Sequence, residues 1–207
     1  MLQPYSSVDP APPHPAHANV DTGTLGDMLL QEDDYDIFDR YRVLFSLRNR
    51  GGREAVLQLC RALSRPTAQK DDTTALLRHE VAYVLGQLQH PSSIDALASS
   101  LADTKEHFMV RHESAEALGA IMEVDGECWG KVREILSRYL EDTNMVVRES
   151  CAVALDAAEY WAGDGRRDDS SAEPAESNPQ HGFAILKATK EAHFNLQTPC
   201  SKKAEQV

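Results

Sequence analysis

Two stretches of the chain set a histidine beside a glutamate within the same short phrase. Arg78-His79-Glu80-Val81-Ala82 is echoed 33 positions later by Arg111-His112-Glu113-Ser114-Ala115. Two imidazoles and two carboxylates form a mixed nitrogen and oxygen donor set that iron, manganese or zinc accepts, and the carboxylates argue against a structural thiolate zinc site. Neither histidine has a second one four positions on, so the zinc-peptidase spacing His-Glu-x-x-His is excluded. Neighbouring residues on a helix diverge by about 100°. One His-Glu pair can therefore direct its ring nitrogen at one metal ion and its carboxylate at another, which suits a binuclear site. The competing reading is inherited decoration, because repeats copy surface residues along with core ones. Two isolated pairs do not separate these readings.

Bringing the pairs together requires elements in register, and the echo runs far enough to supply them. Leu85-Gly86 corresponds to Leu118-Gly119, and Val84 to Ala117. Two weaker copies flank these: Arg40-Tyr41-Arg42 with Leu47-Arg48 at an offset of 38, and Val147-Arg148-Glu149-Ser150 with Leu155-Asp156 at an offset of 37. Only the inner copies hold His-Glu. Helical units with a period of 33 to 38 residues, each too small to bury its own apolar stripe, predict an all-α fold. The expected architecture is a HEAT-like or armadillo-like array of helical hairpins, an α-solenoid of about four repeats. Corresponding helices in such an array lie side by side, so His79 is expected to neighbour His112 and Glu80 to neighbour Glu113, each pair near the start of its helix.

Apolar periodicity predicts helices over 37–48, 53–63, 71–88, 94–101, 109–123, 129–140 and 145–160, with a short one over 25–30. Asp71 or Asp72 is the expected cap of the helix over 71–88. Prolines at 4, 10, 12, 13 and 15 make residues 1–24 an extended segment, in which His14 and His17 are expected to be flexible. The repeat domain is then 25–160, and the Gly, Asp, Ser, Glu and Pro content of 161–207 predicts a polar, largely disordered tail. A further helix over 183–194 is compatible with the pattern but not required by it.

The chain has 207 residues and a mass of 22.9 kDa, enough for one domain with a core continuous between repeats. Its formal charge of -12, from 33 acidic and 21 basic side chains, argues against a nucleic acid partner and permits a basic protein one. No apolar run approaches membrane-spanning length, and no signal segment is recognisable at the start. The four cysteines show no paired spacing, which predicts reduced thiols in a cytoplasmic protein. Cys151 is expected in the core, Trp129 and Phe108 are expected to pack rather than to cage a ligand, and Cys200 lacks a partnering base.

The text from Leu77 to Pro91 (LRHEVAYVLGQLQHP) and from Met109 to Ile121 (MVRHESAEALGAI) resembles the deoxyhypusine hydroxylases, HEAT-repeat di-iron monooxygenases. The likeness extends through Ser7-Val8-Asp9-Pro10-Ala11-Pro12-Pro13, Arg40 to Arg48, and Val147 to Cys151, covering most of residues 4–160. It implies an array of two similar halves, each with two His-Glu motifs, that together hold two Fe(2+) ions. The present chain looks like the carboxy-terminal half alone. By resemblance His79 and His112 would ligate one iron with Glu113, and Glu80 would reach the other. The remaining donors would come from a separate complementary half, or from a second copy about a two-fold axis; otherwise the chain would be an inactive fragment. The implied reaction uses dioxygen as co-substrate to hydroxylate the deoxyhypusine side chain of a translation factor to hypusine. Acidic groups suit such an amine-bearing protein substrate, Glu116 being the substrate-facing candidate outside the ligand set. The rival class is a non-catalytic HEAT-like protein-binding module.

Overall fold

Among the described residues, four of the eight α-helices start at a side chain that satisfies one of the first orphan N–H groups. In the computed structural model, which describes residues 14–65, 72–121 and 126–159, all regular elements are helical. Asp21 accepts from the Thr24 N–H at 2.9 Å and opens α1 (Thr22–Leu30), three residues before the expected start. Asp36 accepts from the Asp39 N–H at 2.8 Å and opens α2 (Ile37–Arg50). Gly51 and Gly52, at φ 61° and 72°, make the turn into α3 (Gly52–Leu63) in backbone geometry that side chains disfavour. Next comes α4 (Asp72–Leu88), followed by a 3-10 turn (Pro91–Ser93) capped by His90 and then α5 (Ile94–Ala102). His107 Nδ1 accepts from the Met109 N–H at 3.2 Å and opens α6 (Phe108–Ala120). The last two helices among the described residues are α7 (Gly126–Ser137) and α8 (Met145–Glu159), the latter opened by Asn144 Oδ1 accepting from Val146 N–H at 3.0 Å. α7 begins before Trp129 and ends before Leu140, a frame shifted toward the N-terminus from the expected 129–140.

These eight helices make about four hairpins stacked in two layers. In one layer α2 packs on α4, α4 on α6, and α6 on α8; in the other α1 packs on α3 and α3 on α5. Leu44, Leu59, Leu85, Leu97 and Leu118 are fully buried between the layers, so each repeat completes its core with its neighbour.

Two sequence features hold the register of the first layer. Buried arginines sit at the equivalent positions 40, 78 and 111. Arg40 Nε donates to the Leu29 carbonyl at 2.9 Å and Arg111 Nε to the Leu101 carbonyl at 2.8 Å, each tying off the end of the preceding helix. Arg78 Nη2 meets Glu106 at 2.8 Å, and Arg111 Nη2 meets Asp142 at 2.5 Å. The Arg111 hydrogen bond is the largest influence holding the Asp142 carboxyl below the usual carboxylate range. A depressed folded pKa contributes stability above the unfolded value, about 3.9, and that stability is lost as pH falls through the folded one. Wild type should therefore exceed Asp142→Asn in stability at neutral pH, with the gap closing in acid below about pH 4; urea unfolding across pH reads it, and a gap independent of pH would contradict it.

The Leu-Gly echo is the second feature. A Cβ on Gly86 would lie 3.0 Å from Ala117 Cα, and one on Gly119 would lie 2.7 Å from Ala154 Cβ and 2.9 Å from the Ala154 carbonyl oxygen. The glycines let α4 approach α6, and α6 approach α8, at backbone distance. Gly119→Ala should gain about 1 kcal/mol of helix propensity and lose about 1–3 kcal/mol to overpacking. The expected net result is destabilisation. Gly130 in α7 faces open space, so Gly130→Ala should be neutral or stabilising by up to about 1 kcal/mol. Chemical denaturation of both variants checks the contrast.

Several expectations change. His17 is buried rather than flexible, with Nδ1 2.8 Å from Ser46 Oγ and its carbonyl accepting from Arg50 at 2.8 Å. Burial leads the influences that push its pKa down. Phe108 is 39% exposed and stacks on the His107 ring, whereas Trp129 packs against the core as expected. Cys60 and buried Cys151 are free thiols, which burial pushes up to about 11 and about 12; Cys128 is disulfide-bonded, against the expectation of four reduced thiols. The expectations for 1–13, for the tail over 161–207 and for a helix over 183–194 lie outside the described residues.

Candidate metal centre

Arg78 and Arg111 are pinned inward by their ion pairs, so the next residue on each helix turns to another side of the layer. That residue is His79 on α4 and His112 on α6. His79 lies in the middle of α4, not near its start, while His112 lies in the second turn of α6. With the two helices held close at Gly86, the imidazole centroids are 5.6 Å apart at an interplanar angle of 35°. Glu113 projects between them. Its Oε2 is 3.2 Å from His79 Nε2 and 3.7 Å from His112 Nε2.

One ligand atom from each of His79, His112 and Glu113 therefore falls within 4.8 Å of the others. Glu80 is not a member of this cluster, although its charge acts on both His79 and Tyr41. The side-by-side expectation thus holds for the histidines but does not place the two glutamates in one cluster. A hydrogen bond from the His79 ring to the Glu113 carboxylate raises the His79 pKa, burial opposes it, and the charges of Glu113, Glu80 and Glu116 add to the rise. His79 Nδ1 is buried without a hydrogen-bond partner among the described residues.

The other face of His112 is fully engaged. Its Nδ1 lies 3.1 Å from Glu116 Oε1 and 3.1 Å from Ser150 Oγ on α8, and Ser150 Oγ donates to Glu116 Oε1 at 3.2 Å. The His112 hydrogen bond leads the influences that hold Glu116 below the ordinary glutamate range. Glu116, expected to face substrate, thus turns an oxygen toward His112. Sequence reasoning misses Ser150; its only signal is its place in the outer Val147-Arg148-Glu149-Ser150 copy, aligned with Glu113.

The donors suit a divalent transition ion. Two imidazole nitrogens and one carboxylate oxygen match the facial set that non-haem ferrous sites use, which leaves positions open for other ligands. An ion about 2 Å from each donor needs those donors roughly 3 Å apart; Glu113 Oε2 stands at 3.2 Å from His79 Nε2 and, wider, at 3.7 Å from His112 Nε2. The 3.7 Å gap between His112 Nε2 and Glu113 Oε2 is beyond a hydrogen bond, which leaves room for a cation between them.

The sequence family that matches residues 67–156 is HEAT repeats. Deoxyhypusine hydroxylase of Rattus norvegicus is 51% identical over 160 residues, spanning 77% of this chain and 47% of the relative. The Homo sapiens and Drosophila melanogaster deoxyhypusine hydroxylases are 48% and 47% identical, each matched over 47% of its own length. The structure of human deoxyhypusine hydroxylase in complex with glycerol superposes with a TM-score of 0.62 at 46% identity, over 77% of this chain and 50% of that one. The chain is homologous to the deoxyhypusine hydroxylases. It spans about half the length of the curated deoxyhypusine hydroxylases it matches. Among the described residues, no helix is long and apolar enough to cross a membrane.

Proposed function

We propose that this chain supplies one half of the metal site of an iron-dependent monooxygenase that hydroxylates the deoxyhypusine side chain of a translation factor to hypusine. The observation that carries this reading is the convergence of His79, His112 and Glu113 within 4.8 Å, on a chain 51% identical to a deoxyhypusine hydroxylase. In it, His79, His112 and Glu113 hold one Fe(2+), and Glu80, one residue round the helix from His79, serves a second. The iron pair supplies the activation of dioxygen, and the protein's part is to bind and orient. Glu80 and Glu116 lend negative potential that favours an amine-bearing side chain over a neutral one.

Three converging donors are fewer than a binuclear centre uses, so a separate complementary half or a second copy of this chain provides the rest. Leu76 and Met109, 65% and 37% exposed, stand one turn before His79 and His112 on the same helical faces, an apolar rim that such a half would cover.

The test is anaerobic reconstitution with Fe(2+), followed by sedimentation, iron analysis and an assay on a deoxyhypusine-bearing protein. The chain is assayed alone and mixed with the complementary half of a relative. Hydroxylated product from a dimer or mixed complex, with two irons per assembled site, is expected. A strict monomer that holds no iron, and mixtures that yield no product, would leave a HEAT-like protein-binding module.

A further inference from the structure

We infer that Glu116 and Ser150 are positioning residues that lock His112 in the form carrying its proton on Nδ1, so that the Nε2 lone pair faces Glu113. The locking itself rests on hydrogen-bond geometry; its use, metal capture, rests on the function proposed above.

A neutral imidazole has one N–H and one lone pair, and which nitrogen holds the proton is set by what each nitrogen faces. His112 Nδ1 is 3.1 Å from Glu116 Oε1. An ionised carboxylate only accepts, so the proton between those atoms belongs to Nδ1. Ser150 completes a closed set: its hydroxyl donates to Glu116 Oε1 at 3.2 Å, and its oxygen lies 3.1 Å from the same Nδ1–H. At Nε2 no proton is required, because the nearest Glu113 oxygen is 3.7 Å away. His79 is the contrast within the same site. Its Nε2 approaches Glu113 at 3.2 Å, within hydrogen-bond distance, and its Nδ1 has no partner among the described residues, none of which therefore fixes its proton away from the cluster.

The arrangement also gives a role to the outer repeat. The copy on α8 carries no His-Glu, yet α8 packs on α6 and delivers Ser150 to the back of His112. A hydroxyl there reaches both Nδ1 and Glu116. The conventional partner of a ligating histidine is a carboxylate or carbonyl on the nitrogen away from the metal, and removing it typically weakens metal binding by about 10–100-fold.

The test uses the full chain with ring-15N histidine. Two-bond proton–nitrogen correlations of the metal-free protein should show His112, assigned by its loss in His112→Gln, with the proton on Nδ1. Glu116→Ala should move that proton largely to Nε2 and weaken Co(2+) binding, followed by its visible absorption, about 10–100-fold. Glu116→Gln, whose amide oxygen still accepts from Nδ1–H, should keep the proton in place and recover most of the affinity; Ser150→Ala should fall between. Circular dichroism shows that each variant is folded. An Nε2-protonated His112 in the wild type overturns the inference, as does equal loss, or no loss, of Co(2+) affinity in Glu116→Ala and Glu116→Gln. A wild type with the Nδ1 proton but no Co(2+) binding supports the locking and overturns the metal site.

Discussion

Joint replacement of His79 and His112 by alanine should abolish stoichiometric iron binding, and all hydroxylation in any assembled complex, without unfolding the chain. The substitution removes both nitrogen donors of the cluster and leaves Glu113, a single carboxylate that cannot hold a ferrous ion against water. Loss of an outer partner alone costs about 10–100-fold in metal affinity, so loss of two direct donors should take binding out of the measurable range. The fold should tolerate the change. The two imidazoles have side-chain exposures of 24% and 15% and lie at the layer surface, outside the leucine core. Metal analysis after anaerobic loading reads the first effect and thermal unfolding of the metal-free protein the second. Iron retained at the wild-type ratio would show that the donors lie elsewhere.

Arg78→Met should cost about 3–5 kcal/mol of stability, a larger loss than that expected of Gly119→Ala or Asp142→Asn. Arg78 and Glu106 have side-chain exposures of 5% and 0% and meet at 2.8 Å, with Arg78 Nε also 3.2 Å from both Glu106 oxygens. Removing the guanidinium takes the Arg78 charge away from a carboxylate whose side chain is fully buried. The His107 N–H, 2.8 Å from Glu106, offsets only part of that cost. Against a typical total of about 5–15 kcal/mol, the loss is large. Adding Glu106→Gln should recover much of it, because the buried negative charge is gone, and a double-mutant cycle in urea measures that coupling. A single variant within about 1 kcal/mol of wild type would place this pair among those that contribute little.

The order of helices is legible in the sequence because each apolar stripe repeats at helical spacing, and the array is legible because the phrase around Arg-His-Glu recurs. The period alone suffices to set His79 beside His112. The role of the arginine that marks each repeat is not legible. Its partners Glu106 and Asp142 sit in connectors 28 and 31 positions away, where no local pattern ties them to Arg78 and Arg111. The Leu-Gly echo is visible as a repeat marker, but its reason, contact with Ala117 and Ala154 of the next helix, exists only between elements.

The site divides the same way. Glu113 and Glu80 are equal in the sequence, each following a histidine, yet only Glu113 enters the cluster. Ser150 carries little signal because a lone serine in a copy without His-Glu looks like an ordinary helix residue. His17 misleads for the opposite reason: proline-rich composition argues for a mobile segment, and Ser46, 29 positions on, buries it.

The most direct measurement is anomalous diffraction at the iron edge from crystals of the full chain grown or soaked anaerobically with Fe(2+). A peak about 2 Å from His79 Nε2, His112 Nε2 and a Glu113 oxygen is the predicted result. Ferrous crystals with no peak between α4 and α6, or with iron bound only at other residues, would contradict the account.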